Sequence, residues 1–145
     1  MKITYRGDYA LKAILDLAIN HDKIVTIHDL AARAQIPIKF LEQVLLDLKR
    51  GGFVESRRGK VGGYLLAKHP SQIRIGDVIR YIDGPLEPIA CTEKNYSGCT
   101  DIYKCTFRKI FKQVAQATSD IVDNITFEDL AKQVGTQSEI FSYQI

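Results

Sequence analysis

Three cysteines are the residues of this chain whose chemistry best suits a metal centre. Cys91, Cys99 and Cys105 lie in one polar segment, with seven and then five residues between them, and no other cysteine occurs in the 145 residues. Thiolates bind both zinc and iron–sulfur clusters. A zinc site usually contains a close CxxC pair, which is absent here, whereas wide loop spacing suits a larger iron–sulfur cofactor. Free thiols without a metal are the third alternative, and either metal requires a fourth ligand.

A second group of residues is suited to contact DNA bases. Residues 37–50 are predicted to form a helix soon after another short helix, which is the pattern of a helix-turn-helix. Glutamine can pair with adenine, and glutamate can accept a hydrogen bond from cytosine. The candidate base-contacting residues are Lys39, Phe40, Glu42 and Gln43, on the polar side of this helix. A solvated helix face without a ligand is the alternative for these residues taken alone.

The segment that follows strengthens the DNA-binding hypothesis. Two short predicted strands flank the glycine-rich turn GKVGG and form a β-hairpin. Arg57, Arg58 and Lys60 cluster near its tip, where cations repel one another unless an anion neutralises them. DNA phosphates or a narrow minor groove provide that negative charge. A helix-turn-helix followed by such a hairpin is a winged helix. A phosphate-binding P-loop is disfavoured, because a strand rather than a helix follows the glycines.

The charge distribution divides the chain into two halves. Residues 1–70 contain 12 Lys and Arg against 7 Asp and Glu, whereas residues 71–145 contain 8 against 10. A basic first half and an acidic second half favour a DNA-facing module followed by a part with another role. Neither a secretory signal nor a membrane-spanning apolar run is visible, and an odd number of cysteines argues against a disulfide scaffold. We therefore expect a cytoplasmic protein that does not enter the membrane.

Hydrophobic periodicity predicts a mostly α-helical fold with a small β-hairpin wing, that is, a winged helix-turn-helix followed by a long dimerisation helix. Helices are predicted over about 5–20, 26–34, 37–50, 75–83, 103–124 and 126–134. Thr4, Thr26 and Thr126 are predicted to cap three of them. We expect a DNA-binding domain over 1–84, a cysteine-bearing loop over 85–105, and the dimerisation helix with a C-terminal helix and tail over 106–145.

The long helix 103–124 carries more apolar surface than one small domain can cover. Its apolar side contains Phe107, Ile110, Phe111, Val114, Ala117, Ile121 and Val122. We predict that a second copy of the chain packs on this stripe, and packing within its own domain is the alternative. A homodimer also matches pseudo-palindromic DNA, whose half-sites lie about one helical turn apart.

Three segments resemble one known family over nearly the whole chain. They are ITYRGDYALKAILDLA at 3–18, FLEQVLLDLKRGGFVESRRGKVGGYLLAK at 40–68 and NITFEDLA at 124–131. These segments are similar to the bacterial Rrf-type winged-helix transcription regulators, which include IscR-, NsrR-, RirA- and CymR-like branches. The resemblance implies a dimer crossed through the long helix, with a cluster-binding loop near the dimer interface.

The resemblance also implies a cofactor. Cluster-binding members carry three cysteines at the places of Cys91, Cys99 and Cys105, and the seven-then-five spacing is most similar to the RirA-like pattern. IscR-type members add a histidine soon after the third cysteine, but this chain reads CTFRKIF there, which favours a 4Fe–4S over a 2Fe–2S cluster. NsrR-type sites take a carboxylate from the partner chain, and Asp8 occupies the matching place. A surface charge or a salt-bridge partner is the alternative role for Asp8.

Together these features predict a dimeric DNA-binding transcription regulator. An iron–sulfur cluster that senses iron, redox state or nitric oxide would control its binding to the operator. The alternative is a cofactor-free repressor of the CymR-like kind, controlled by thiol oxidation or by a partner protein. An enzyme is disfavoured, because the chain contains no CxxC, no dinucleotide-binding fingerprint and no HExxH.

Overall fold

The computed structural model describes residues 1–143, with side-chain surroundings through residue 136. Over these residues a mostly helical chain carries one antiparallel β-hairpin, which confirms the predicted fold class. The elements are α1 (Tyr5–Ile19), α2 (Ile27–Ala34), α3 (Ile38–Arg50), β1 (Val54–Arg57), β2 (Gly63–Leu66), α4 (Ile75–Asp83), α5 (Thr106–Val122) and α6 (Phe127–Tyr143). Short 3₁₀ turns occupy Pro70–Gln72 and Ala90–Thr92.

Three helix starts follow directly from threonine chemistry, as predicted. The Thr4, Thr26 and Thr126 hydroxyls accept hydrogen bonds from backbone amides three residues later, at 3.1, 3.2 and 3.2 Å. At α6 the cap is reciprocal, because the Thr126 amide donates to the Asp129 carboxylate at 3.0 Å. Hydrogen bonds with the Thr126 backbone and side chain lower the pKa of the Asp129 carboxyl below its ordinary value. Each cap satisfies amide groups that the first helical turn leaves without partners.

The hairpin is short and rests on the helical core. Its register pairs Val54 with Leu66 and ends with Arg57 opposite Gly63. A further bridge joins Val25 to Tyr64, with hydrogen bonds of 2.9 and 2.8 Å, and anchors the base of the wing to the segment before α2. A Cβ at Gly63 would clash with the Val25 carbonyl, so only glycine permits this close approach.

One hydrophobic core contains residues of the first helix and of the last helix. α1 contributes Ala10, Ala13, Ile14 and Leu17, and the buried sides of α2, α3 and α4 pack around them. Phe127, at the start of α6, is 1% exposed and lies in the same core, and its amide donates to the Ile73 carbonyl at 3.0 Å. The helix after the long α5 therefore returns to α1. The division of the chain at residues 84 and 105 stays a prediction about roles.

Several predictions at helix ends and in the loop differ from the structure. The recognition helix begins at Ile38 with Pro37 as its N-cap, because Pro37 adopts an extended ψ of 133°. The long helix, predicted over 103–124, begins at Thr106 and ends at Val122. The predicted loop 85–105 contains the 3₁₀ turn Ala90–Thr92. The predicted end of the last helix near 134 is wrong, since α6 continues to Tyr143. A glycine at 135 suggests an end, but a single glycine costs a helix only about 1 kcal/mol.

Polar contacts at helix ends help to fix the relative positions of three helices. The Thr4 amide and hydroxyl donate to the Asp83 carboxylate at 3.0 and 2.6 Å, which joins the start of α1 to the end of α4. Arg80 donates to Asp123 at 2.6 and 2.8 Å, which joins α4 to the end of α5. Within residues 1–143, no helix has both the length and the apolar character needed to cross a lipid bilayer.

Candidate DNA interface and metal-binding segment

The recognition helix α3 presents the predicted polar face to solvent. Leu41, Val44, Leu45 and Leu48 are buried in the core. The four candidate base-contacting side chains, Lys39, Phe40, Glu42 and Gln43, are all exposed. Because Pro37 provides no side-chain cap, the first turn of α3 has amide groups open to a phosphate. The side chains and the helix end both suit insertion into the major groove.

The wing carries its cations on an open tip. Arg57 pairs with Glu55 on its own strand at 3.2 Å, so its charge is partly neutralised. Arg58 and Lys60 are exposed, and neither forms an ion pair within the part of the chain that the structure describes. Gly59 between them has φ of +126°, a conformation that a side chain would strain. Lys49 on α3 donates to Ser56 on β1 at 2.7 Å, which links the recognition helix to the wing.

α1 supports the recognition helix through contacts that the sequence analysis missed. The Arg6 guanidinium binds Asp47, with Nε 3.0 Å from the carboxylate, and the rings of Tyr9 and Phe40 lie 6.4 Å apart between centroids. Tyr5 continues this aromatic series, 6.3 Å from Tyr9. The partners on α1 and α3 are about 30 to 40 residues apart along the chain, so no local sequence pattern predicts their contacts. The helical spacing of Tyr5 and Tyr9 was the one available signal.

The cysteine segment lies against the start of α5. Cys91 lies in the second 3₁₀ turn, Cys99 is exposed, and Cys105 is the N-cap residue of α5. All three thiols are free. Arg108 on α5 donates from Nε to the Cys91 carbonyl at 3.1 Å and holds the first part of the segment on the helix.

The three thiols match an iron–sulfur centre in donor chemistry but not yet in position. Free, accessible thiols in one segment are the ligands that such a cluster uses. Among the described residues, however, no three Cys, His, Asp or Glu side chains converge into a group that could hold a metal ion. Cluster binding would therefore require the segment around the exposed Cys99 to close toward Cys91 and Cys105.

Asp8 lies in the first turn of α1. Its carboxylate accepts a hydrogen bond from Lys12 at 2.7 Å, one helical turn later. Within this chain Asp8 is therefore a salt-bridge partner, which is one of the alternatives that the sequence left open. Both side chains are about half exposed, so the carboxylate remains accessible to another molecule.

The apolar side of α5 divides into two faces. Phe111 and Val122 are partly buried toward their own domain. Phe107, Ile110, Val114 and Ile121 form an exposed row with spacings of three, four and seven residues. Phe107 is 69% and Ile121 is 61% exposed, so the described part of the chain leaves the row uncovered from end to end. This spacing matches the seam of a helix pair.

A winged helix with a cationic wing tip and a separate amphipathic helix is the architecture of a DNA-binding transcription regulator. Residues 3–133 match the family model described as "Rrf2: Iron-dependent Transcriptional regulator". The chain belongs to the Rrf2 family, which confirms the resemblance drawn from the sequence segments. This is a family of transcription regulators, and DNA binding is its shared activity.

Individual relatives agree with this assignment. An Rrf2-like HTH-type transcriptional regulator of Rhodobacter capsulatus is 39% identical over 136 residues, covering 88% of this chain and 91% of that protein. The HTH-type transcriptional regulator IscR of Klebsiella pneumoniae is 34% identical over 131 residues, covering 90% and 79%. The structure of CymR, the global cysteine regulator of B. subtilis, matches with a TM-score of 0.73 and 29% identity, covering 92% and 98%.

Proposed function

We propose that this Rrf2-family regulator binds a pseudo-palindromic operator as a homodimer, and that an iron–sulfur cluster on Cys91, Cys99 and Cys105 controls that binding. The observation that carries the proposal is the position of the three free thiols. They occupy one accessible segment whose last cysteine stands at the N-cap position of α5, the helix with the uncovered apolar row. A change at the thiols therefore acts directly on the proposed dimer interface.

The DNA contacts are divided between helix and wing. Lys39, Phe40, Glu42 and Gln43 reach the base edges in the major groove, while Arg57, Arg58 and Lys60 neutralise phosphates beside it. Exposure of all seven side chains supports this division. The Lys49–Ser56 hydrogen bond fixes the angle between the two contact surfaces.

Cys91, Cys99 and Cys105 would hold the cluster, and Asp8 of the partner subunit is the candidate fourth ligand. The cluster supplies an iron centre that responds to iron supply, redox state or nitric oxide when bound. The absence of a histidine after Cys105 favours the 4Fe–4S form. Asp8 has to exchange its bond with Lys12 for the metal, which an exposed i,i+4 pair allows at little cost.

A continuous set of polar contacts connects the cysteine segment to the recognition helix. Arg108 joins Cys91 to α5, and Arg80–Asp123 joins α5 to α4. Thr4–Asp83 then joins α4 to α1, and Arg6–Asp47 joins α1 to α3. Release of the segment would shift α5 and, through these contacts, the spacing of the two recognition helices in the dimer. A coupling free energy of about 1–3 kcal/mol would change operator affinity by roughly 5–150-fold.

Replacement of Cys99 with serine tests the cluster proposal. We expect oxygen-free wild-type protein to be a brown dimer with iron and sulfide masses in native mass spectrometry, and Cys99→Ser to be a dimer without them. Cys99 is exposed, so its replacement leaves the core intact. Ser97→Ala in the same segment is the matched control and should retain iron. A wild-type protein that is colourless and free of metal would contradict the cluster proposal.

One observation favours a second candidate function. The described thiols do not converge on a metal site. A cofactor-free repressor controlled by thiol oxidation or by a partner protein would use the same DNA interface and the same dimer. A metal-free wild-type dimer whose operator binding changes after mild thiol oxidation would support this function.

A further inference from the structure

A groove of about 620 Å³ lies between the start of α1 and the first three turns of α3, apart from the cysteine segment. The rings of Tyr5, Tyr9 and Phe40 line it, the Arg6–Asp47 pair lies along it, and the buried Val44 contributes to its wall. Its volume is within the range of sites for small organic ligands, and most of its surface is apolar.

The electrostatics of the groove exclude a phosphate as its natural occupant. Arg6 directs both Nε and Nη2 at Asp47 Oδ2, so the cation is already neutralised. An incoming phosphate would meet an ion pair that has no net positive charge. The second carboxylate oxygen, Oδ1, accepts no hydrogen bond from residues that the structure describes. The groove therefore offers ring faces and edges with one open anionic acceptor.

The rings favour a planar ligand. Tyr5 and Tyr9 are inclined by 40°, and Tyr9 and Phe40 by 36°, with centroids 6.3 and 6.4 Å apart. These tilted arrangements leave ring surface for a further aromatic group, since offset and tilted aromatic contacts are favourable. A ligand with an N–H or O–H donor on its edge would also satisfy Asp47 Oδ1.

We propose that this groove is a binding site for small, uncharged, planar aromatic molecules that carry an N–H or O–H donor directed at Asp47. Phe40 and Gln43 line the groove and also belong to the face proposed to contact bases. A bound ligand would thus oppose operator binding directly at the recognition helix. This last consequence rests on the proposed DNA interface, whereas the ligand site itself does not.

Titration of the full-length protein with indole, followed by ¹H–¹⁵N correlation NMR without DNA, tests the site. We expect saturable shift changes for residues 5–9 and 40–47. 1-Methylindole has the same ring without the donor, and we expect it to bind roughly tenfold more weakly, as loss of a hydrogen bond to a charged group requires. Tyr5→Ser should weaken indole binding, whereas Tyr103→Ser should not, although the two tyrosines are 83% and 89% exposed.

The outcomes separate the site from its role. Shifts that do not saturate, shifts away from the groove, or equal affinity for the two indoles would overturn the proposed site. Displacement of indole by operator DNA would support competition at α3. Saturable indole binding that DNA leaves unchanged would uphold the site but overturn its link to DNA recognition. Because Tyr5 is a surface residue, a native far-UV circular dichroism spectrum of Tyr5→Ser checks that its fold is intact.

Discussion

Arg58 and Lys60 lie two residues apart at the wing tip. Each is exposed on the wing tip, and no acidic side chain of the described region pairs with either, whereas Arg6, Arg33 and Arg80 all bind aspartates. An unpaired charge beside another of the same sign raises the free energy of the free protein slightly. Neutralisation by a phosphate relieves that repulsion and releases counterions from DNA.

Replacing both Arg58 and Lys60 with alanine should weaken DNA binding and reduce its dependence on salt. Each lost phosphate contact lowers the slope of log affinity against log salt by about 0.9, so the double variant, which removes two contacts from each protomer of the dimer, should lose roughly 3.6 units of slope. Fluorescence anisotropy with operator DNA at several salt concentrations measures both quantities. The double variant Lys112→Ala and Lys132→Ala removes the same charge from α5 and α6 and serves as control. Equal slopes in the two double variants would reject the wing as a phosphate contact.

Sequence patterns predict the residues whose roles depend on near neighbours along the chain. They do not predict the residues whose roles depend on contacts between distant segments. Thr4, Thr26 and Thr126 cap helices because their hydroxyls reach amides three residues later, a relation visible in the sequence. The Arg6–Asp47 pair joins residues 41 positions apart and depends on how α1 packs on α3. Whether Asp8 faces a partner's cysteines depends on how two chains pack together, which local sequence patterns do not predict.

At the scale of the elements, α4 is held between α1 and α5 by charged contacts. The Arg80 guanidinium donates two hydrogen bonds to Asp123 and holds the pKa of that carboxyl below its ordinary value. A lowered folded pKa means that the carboxylate stabilises the fold above the unfolded pKa, near 3.9. That stabilisation is lost as the pH falls through the lower, folded pKa.

Asp123→Asn should therefore be less stable than the wild type at neutral pH, by up to about 1 kcal/mol for a partly exposed pair. The difference should shrink as the pH falls below about 4, because the carboxyl of the unfolded chain, with its higher pKa, then takes up a proton before the folded carboxyl does. Urea unfolding between pH 7 and pH 3 measures the difference. Asp120→Asn, one turn earlier on α5, removes a carboxylate that bonds only Gln116 among the described residues. A stability difference for Asp123→Asn that does not vary with pH would contradict the ion-pair assignment.

Two helical glycines should respond in opposite ways to alanine. A Cβ on Gly7 of α1 would clash with the Asp83 carboxylate, which Thr4 holds in place, whereas a Cβ on Gly135 of α6 would meet none of the described atoms. Gly135→Ala should raise the free energy of unfolding by up to about 1 kcal/mol through helix propensity. Gly7→Ala should lower it by about 1–2 kcal/mol despite the same propensity gain. Thermal unfolding of both variants compares them, and stabilisation by Gly7→Ala would show that α1 and α4 are not closely joined.

Hydrophobic periodicity predicts the existence of the helices, but it predicts where they end less accurately. α1, α3 and α4 lie within two residues of their predicted ranges, since caps and breaks mark them. α6 ends nine residues later than predicted, because Gly135 and the polar residues after it resemble a helix end in sequence alone. The position of α6 on α1 could not be predicted, since it depends on how the chain reverses after α5.

At the scale of the whole molecule, α5 needs a partner that the described chain does not provide. Its exposed row extends over about four helical turns and ends close to the cysteine segment. Contiguous exposed apolar surface of this extent marks an interaction site. A second copy would bring an identical row and an identical DNA-binding face, so one twofold axis would cover the row and place two recognition helices for a palindrome.

Ile110→Glu should convert the dimer to a folded monomer and weaken binding to a two-half-site operator by roughly 100-fold, since one protein then binds through a single half-site. Ile110 lies in the middle of the row and is about half exposed in the single chain, so a carboxylate there disturbs the pairing of two rows but no core contact. Analytical ultracentrifugation measures the mass, and anisotropy on full and half operators measures the affinity. Gln116→Glu adds the same charge on the opposite side of α5 and should remain dimeric. A dimeric Ile110→Glu protein with normal operator affinity would show that the row is not the interface.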